Sequence, residues 1–216
     1  MLNMDFSQRV VLDTNSMQWV ASPASGVWRK PLARQDKERG HATSIVRYDP
    51  GTRFHGHDHP GGEEILVLDG VFSDETGDYP AGTYLRNPVG FRHAPFSLQG
   101  CLILVKLHQF LIGDRRRVCI DTSTQTWQSD GDGSEVLSLH QFGDERVSLV
   151  RSRGDASYDA DATPYGEEIY VVQGELIDGQ GQYGAGTWIR NPPGYRGGRR
   201  TGRNAIIWTK TGHLKP

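Results

Sequence analysis

The sequence predicts an all-β protein built as two tandem barrels, and two observations lead to this prediction. Of 216 residues, 36% are hydrophobic, and 27 glycines and 11 prolines interrupt the chain, a composition typical of short strands separated by turns. The second observation is a repeat: between residues 54 and 107, 20 of 54 positions are identical to those 104 residues further on. A duplicated unit rich in short strands favours two barrels over a solenoid.

The strands predicted for the first half follow from short apolar or alternating runs bounded by Gly, Pro, Asn and Asp. The run 101–107 is continuously apolar except for one lysine, which predicts a buried central strand. The other predicted strands lie at 10–12, 17–20, 26–28, 43–48, 64–68 (followed by a turn at 69–70) and 82–86. The repeat places the domain boundary where an Asp-Arg-Arg-Arg run begins, giving domains 1–112 and 113–216.

The segment from Gly51 to Gly70 carries a candidate metal site. It contains three histidines and two adjacent glutamates within ten residues. His57 and His59 are two residues apart, so on an extended strand both side chains point to the same face. Glu63 can return to that face after the turn at 60–62. Imidazole nitrogen and carboxylate oxygen bind divalent first-row metals, so this segment predicts a metal site.

The spacing of these residues resembles the two sequence motifs of the cupin superfamily. The first motif matches Gly51, His57, His59, Glu63 and Gly70, and the second matches Gly82, Pro88, Gly90 and His93, with Ser97 where asparagine is usual. The resemblance covers both halves and implies a bicupin of two jelly-roll barrels. It also implies that four residues bind one divalent metal per chain: His57, His59, Glu63 and His93. The metal is expected to be zinc, with iron or manganese as alternatives.

The two neighbours of the predicted ligands are expected to stay outside the metal site. Period-2 alternation sends Glu64 to the face opposite Glu63, which favours a surface or supporting role. His55 lies at the start of the hairpin and is expected at the rim. Three neutral imidazoles and one carboxylate leave coordination positions open to water or substrate.

The amino-acid sequence of residues 61–88 makes the resemblance more specific. It is similar to the cupin domain of ChrR-type anti-sigma factors. That resemblance implies a zinc-binding sensor, with a small molecule or an oxidant acting at the first barrel, in transcriptional regulation of a stress response. Residues 1–50 lack the His-x-x-x-Cys-x-x-Cys pattern of that family's sigma-binding domain, so a sigma-factor partner is not supported. The same cupin type also resembles iron dioxygenases that cleave diketones or hydroxyacetophenones. Whether the chain is an enzyme stays open, and a structural bicupin that forms a homodimer is a third interpretation.

The second half keeps the scaffold of the motif and loses its imidazoles. At the offset of 104 residues, the ligand positions hold Asp161, Thr163, Glu167 and Gly197. One carboxylate with at most one neighbour is a poor transition-metal site, so domain 113–216 is expected to carry no metal. Four arginines follow, either as a solvated loop or as an anion pocket: Arg196, Arg199, Arg200 and Arg203.

Charge and cysteine content restrict the remaining function classes. The net charge of −2 indicates neither nucleic acid nor an anionic membrane as a partner. No signal peptide or membrane-length apolar run appears, and Cys101 and Cys119 do not make a disulfide framework, so a cytoplasmic protein is expected. Cys101 is expected in the core and 115–117 in an exposed linker. Five aromatic residues are expected to line or cap the first barrel where their side chains point inward: Trp28, Phe54, Tyr84, Phe91 and Phe96.

Overall fold

The computed structural model describes residues 1–36, 39–131, 133–152 and 164–214, together with the strand at 156–160. In these ranges the chain is nearly all β, as predicted. The strands are, in chain order, β1 (Val10–Asp13), β2 (Val20–Ala21), β3 (Val27–Arg34), β4 (Ala42–Tyr48), β5 (Thr52–Arg53), β6 (His57–His59), β7 (Glu63–Asp74), β8 (Gly77–Pro80), β9 (Thr83–Asn87), β10 (Phe91–His93), β11 (Phe96–Ser97), β12 (Cys101–Leu107), β13 (Val118–Asp121), β14 (Gln128–Ser129), β15 (Ser134–Phe142), β16 (Glu145–Ser152), β17 (Ala156–Ala160), β18 (Glu167–Gln173), β19 (Glu175–Asp178), β20 (Gly181–Gly184), β21 (Thr187–Asn191), β22 (Gly197–Thr201) and β23 (Ile206–Thr211). One 3₁₀ turn spans Thr122–Thr124.

The chain forms two compact units whose limits differ from those of the sequence repeats. The first unit contains residues 1–4 and 17–125, and the second contains residues 5–16 and 126–216. Strand β1 therefore belongs to the second unit and pairs antiparallel with β21, whereas β13 belongs to the first unit and pairs antiparallel with β9. The boundary at 112–113 stays a prediction about the repeats, because compact units and repeats divide the chain differently.

A short sequence repeat marks these two exchanged strands. Arg-Val-x-x-Asp-Thr occurs at 9–14 and again at 117–122, an offset of 108 that a comparison at 104 residues does not align. The two copies make the same contact, since the hydroxyls of Thr14 and Thr122 each donate a 2.7 Å hydrogen bond to a backbone carbonyl, of Gly186 and Gly82 respectively. The repeated motif thus supplies an edge strand to each unit.

In the first unit, the main sheet has the order β13-β9-β7-β12-β4-β3-β2, while β6 and β10 form a separate two-stranded pair. The strand predicted to end at 68 continues to Asp74. The predicted turn at 69–70 is wrong, because the chain forms a bulge there: the register against β12 shifts near Asp69. Gly70 has a φ of +70°, and a Cβ there would lie 2.2 Å from the carbonyl oxygen of Gly100, so only glycine fits.

Each unit buries its own apolar core. In the first unit, the inward residues of β7, β9 and β12 pack together, among them Ile65, Leu85 and Ile103 at 2% exposure or less. Each such side chain contributes roughly 1.5–3 kcal/mol on burial. The second unit has an equivalent core on β18, β21 and β23. Within the part of the chain that the structure describes, no helix is long and apolar enough to cross a membrane.

Candidate metal centre

Two short antiparallel strands bring the predicted histidines together. Strand β6 pairs with β10, so that His93 lies opposite His57 and Phe91 lies opposite His59. Glu63 begins β7 directly after the turn that follows β6, and it lies opposite Asn87 of β9. Sequence spacing alone placed His57 and His59 on one face; the hairpin partner strand adds His93.

The donor atoms of these side chains converge. One ring nitrogen from each of His57, His59 and His93 lies within 4.8 Å of the others. Nε2 of His59 is 2.9 Å from Nε2 of His93, and Oε2 of Glu63 is 3.6 Å and 3.4 Å from these two nitrogens. Ligand atoms bound to one ion at about 2.1 Å and at right angles lie about 3 Å apart. The arrangement therefore fits a single divalent ion.

Surrounding groups fix the orientation of the converging side chains. Nδ1 of His93 donates to Asp74 at 3.1 Å, and Nδ1 of His57 lies 3.0 Å from the backbone carbonyl of His55. In both rings Nε2 is thereby left available to bind a metal. Asn87 donates a 3.0 Å hydrogen bond to Oε2 of Glu63. Such contacts hold the tautomer and angle that metal binding requires.

Burial and charge shift the ionisation of these groups. Burial lowers the pKa of His59 below its usual value, against the opposing charge of Glu63. Burial also acts to lower the pKa of His93, but the hydrogen bond to Asp74 and the charge of Glu63 outweigh it and raise that pKa. Burial acts to raise the pKa of Asp74, but hydrogen bonds from His93 and Thr76 bring it well below its usual value. Asp74 is thus an anionic acceptor for His93.

A cavity of about 100 Å³ opens onto the converging histidines inside the first unit. Its walls are largely apolar, with Tyr48 contributing a phenol. Burial raises the pKa of Tyr48 well above its usual value, and the charge of Glu63 adds to this, so the hydroxyl stays protonated. The lining residues are Val27, Arg29, Arg34, Ala42, Ser44, Val46, Tyr48, Phe54, His57, His59, Glu63, Ile103, Val105 and Leu107.

The cavity walls confirm part of the expectation for aromatic residues. Of the five predicted, Phe54 lines the cavity, while Phe91 packs edge-on against His93 with ring centroids 5.4 Å apart. The other three are not among the lining residues: Trp28 donates to Asp49, Tyr84 is fully buried elsewhere, and the ring centre of Phe96 lies 4.8 Å from the guanidinium carbon of Arg53. Sequence reasoning missed Tyr48, Arg29 and Arg34. The alternation along β4 could have indicated Tyr48, since Ala42, Ser44 and Val46 share its face.

The two residues expected outside the metal site both lie outside the group of converging histidines. Glu64 points away from Glu63, but it is not a surface group: it is 3% exposed and accepts a 2.9 Å hydrogen bond from Arg86. Arg86 also donates to Asp114 at 2.8 Å, so the three side chains form a buried ionic group. The side chain of His55 is exposed, and its contribution is the carbonyl that orients His57.

In the second unit, arginines form hydrogen bonds with the two carboxylates that correspond to Glu63 and Asp74. Arg199 donates two hydrogen bonds to Glu167, which also accepts one from Asn191 at 2.8 Å. Asp178, 104 residues after Asp74, accepts from Arg9. Asp161 and Thr163 lie outside the described residues, and Gly197 carries no side chain that could bind a metal. The expectation that this unit carries no metal stays a prediction.

The four arginines near residue 200 were expected in a solvated loop or in an anion pocket, and Arg199 lies in neither. It is 3% exposed and bound to Glu167, so it belongs neither to a solvated loop nor to an open anion pocket. The other three arginines of that group, Arg196, Arg200 and Arg203, are exposed. The prediction for Cys101 is confirmed: it is 5% exposed, within the first core.

Comparison with known proteins identifies the fold of both halves. The family described as ChrR Cupin-like domain matches residues 7–111 and again residues 115–215. Among proteins with curated functions, none matches the sequence. The two matched ranges together cover nearly the whole chain, which confirms the predicted tandem arrangement of cupin repeats.

Several solved structures share this fold at low sequence identity. A candidate dioxygenase from Nostoc punctiforme has 17% identity and a TM-score of 0.79, and the alignment covers 97% of this chain and 85% of the dioxygenase chain. The pirin YhhW from Escherichia coli, solved with nickel(II), has 14% identity and a TM-score of 0.70, covering 94% and 98%. An E162A mutant of oxalate decarboxylase OxdC from Bacillus subtilis has 12% identity and a TM-score of 0.62, covering 94% and 76%. At these identities the likeness establishes the fold alone.

Proposed function

This chain belongs to the family of ChrR cupin-like domains, and we propose that its first barrel binds one divalent metal ion and acts there on a small organic molecule. The observation that carries the proposal is the cavity that opens directly onto His57, His59 and Glu63. A metal site with a structural role alone needs no such space beside it.

The proposed ligands are His57, His59, Glu63 and His93. A bound ion would supply Lewis-acid polarisation of a substrate oxygen or, if iron, oxygen activation. The protein would orient the ligands and exclude bulk water. Asp74 keeps the proton of His93 on Nδ1, the Asn87 amide holds Oε2 of Glu63, and the apolar walls exclude bulk water. The protonated hydroxyl of Tyr48 would serve as a hydrogen-bond donor to the bound molecule.

Within this proposal, we favour an iron-dependent dioxygenase that cleaves a small diketone or hydroxyacetophenone-type molecule. The apolar cavity beside the site fits such substrates. A zinc-dependent sensor of the ChrR type is the second candidate, and the family match supports it. Zinc does not change oxidation state, so the identity of the metal separates the two candidates.

Metal analysis of anaerobically purified protein tests the proposal, combined with oxygen-uptake measurements on acetylacetone and 2,4′-dihydroxyacetophenone. About one iron per chain and substrate-dependent oxygen consumption are the expected results. Stoichiometric zinc without oxygen uptake would replace the dioxygenase by the sensor. Absence of any stoichiometric transition metal would contradict both.

A further inference from the structure

Two arginines share the wall of the first cavity, and a bulge puts them there. Arg29 and Arg34 both lie on β3, five residues apart, a spacing that places side chains on opposite faces of a regular strand. The register against β4 shifts between Pro31 and Ala33, which inserts one residue and returns Arg34 to the face of Arg29. Both side chains then line the cavity with the metal-site residues.

The register fixes their positions relative to the other wall residues. Arg29 lies opposite Val46 and Arg34 lies opposite Ala42, and both of these β4 residues line the cavity. Among the lining residues, Glu63 is the one carboxylate, and in the proposed site it is a metal ligand. With a divalent ion bound, the lining would therefore combine a net positive metal site with two arginines between apolar walls. Arg34 also donates a 2.9 Å hydrogen bond from Nε to the backbone carbonyl of Asp36, and a guanidinium has five N–H donors in all.

The cavity also limits the size of what can enter. A single water needs a cavity of roughly 10–15 Å³, so the volume of about 100 Å³ leaves room for a small organic molecule and not for a large one. A carboxylate matches the guanidinium geometry by paired hydrogen bonds, and apolar carbons match the valine, isoleucine and leucine side chains of the walls.

We propose that the first barrel selects a small monocarboxylate with an apolar body, whose carboxylate is bound by Arg29 and Arg34 while its body reaches toward the metal. The proposal rests on the metal site described above and narrows its substrate class to keto compounds that carry a carboxylate. Charge-assisted hydrogen bonds of this kind determine orientation as well as affinity.

Calorimetric titration of the full chain, loaded with one equivalent of Zn²⁺, with benzoate and benzamide tests this inference. The two probes have the same size, and one carries the carboxylate. Benzoate is expected to bind at least tenfold more tightly than benzamide, and Arg29→Gln and Arg34→Gln are each expected to weaken benzoate about tenfold or more. Equal binding of the two probes, or unchanged benzoate affinity in both variants, would overturn the inference.

Arg47→Gln is the matched control. Arg47 lies on β4 but points to the other face, where its guanidinium lies 4.8 Å from the ring centre of Trp19 and 3.4 Å from Asp49. This variant should leave benzoate affinity unchanged, and a loss equal to that of the cavity variants would overturn the inference. If a glutamine variant does not fold, Arg29→Lys and Arg34→Lys are measured instead. Both keep the positive charge, so both should still bind benzoate in preference to benzamide.

Zinc content is measured on every variant. A wild-type chain that takes up no zinc contradicts the proposed function itself. A chain that binds one zinc but does not distinguish benzoate from benzamide contradicts only the inferred carboxylate site.

Discussion

The guanidinium of Arg199 donates two hydrogen bonds to the carboxylate of Glu167, one of them 2.9 Å long. Glu167 stands 104 residues after Glu63, whose carboxylate faces His59 and His93 instead. A buried carboxylate needs a positive partner. The second unit supplies an arginine where the first presents the proposed metal site.

Replacing Arg199 by Met should destabilise the second unit without changing the metal content. The variant leaves Glu167 buried without its cation, a change that costs about 3–5 kcal/mol in comparable pairs. Urea unfolding followed by tryptophan fluorescence measures the loss, because Trp188 and Trp208 are fully buried in that unit. The exposed neighbour Arg200→Met is the control and should change stability by less than about 0.5 kcal/mol. Equal stability of the two variants would refute the role assigned to Arg199.

Replacing His93 by Ala should remove stoichiometric metal from the whole chain. The change deletes one of the three converging imidazoles, and the second unit offers Glu167 already bound to Arg199. Metal analysis after dialysis checks this, with His55→Ala as the control, because the exposed His55 ring is outside the cluster and its carbonyl is retained. One metal per chain in the His93 variant would contradict the assignment of the site.

Replacing Asp74 by Asn should weaken metal binding by about 10–100-fold while leaving the ligands in place. The carboxylate accepts the Nδ1 proton of His93, and loss of such a supporting acceptor has this effect in other metal sites. Competition with a fluorescent chelator measures the affinity. Asp78→Asn is the matched control, since Asp78 accepts from Ser73 at the same hairpin and touches no histidine in the hydrogen bonds described. Equal affinities of the two variants would exclude a positioning role for Asp74.

The two thiols should differ in their reactivity toward a disulfide reagent. Burial raises the pKa of Cys101 to about 11, so at pH 8 only about one thiol in a thousand is ionised. Cys119 is exposed, although partial burial of its thiol raises its pKa as well. One thiol per chain should react in the native protein and the second only after unfolding, and Cys119→Ser should abolish the native reaction. Rapid native labelling of Cys101 would contradict its place in the core.

Sequence reasoning could group His57, His59 and Glu63 because their signals are local, whereas His93 was expected only from the resemblance to the second cupin motif. The two-residue spacing of His57 and His59 and the alternation at Glu63 and Glu64 hold on uninterrupted strands. Strand β12 was predicted to the residue because its run is continuously apolar.

Signals that depend on irregular backbone or on distant partners were missed. The bulge in β3 places Arg34 on the same face as Arg29, and nothing in the local sequence pattern indicates that bulge. Asp74 was read as beyond the end of a strand, because the bulge near Gly70 resembles a turn in sequence. Arg199 could not be matched to Glu167 because the choice of partner across 32 residues depends on the folded barrel.

The exchange of edge strands between the units has a consequence for biosynthesis. The barrel that carries the histidines includes β13, so its sheet cannot be completed until the ribosome has translated past Asp121. Strand β1 pairs with a strand that ends at Asn191, so it must wait for about 180 further residues to be translated before that partner is complete. Neither repeat released by proteolysis at the 112–113 junction would retain a full set of strands. Each repeat therefore depends on the other for an edge strand, even though only the first unit contains the converging cluster of His57, His59 and His93 among the described residues.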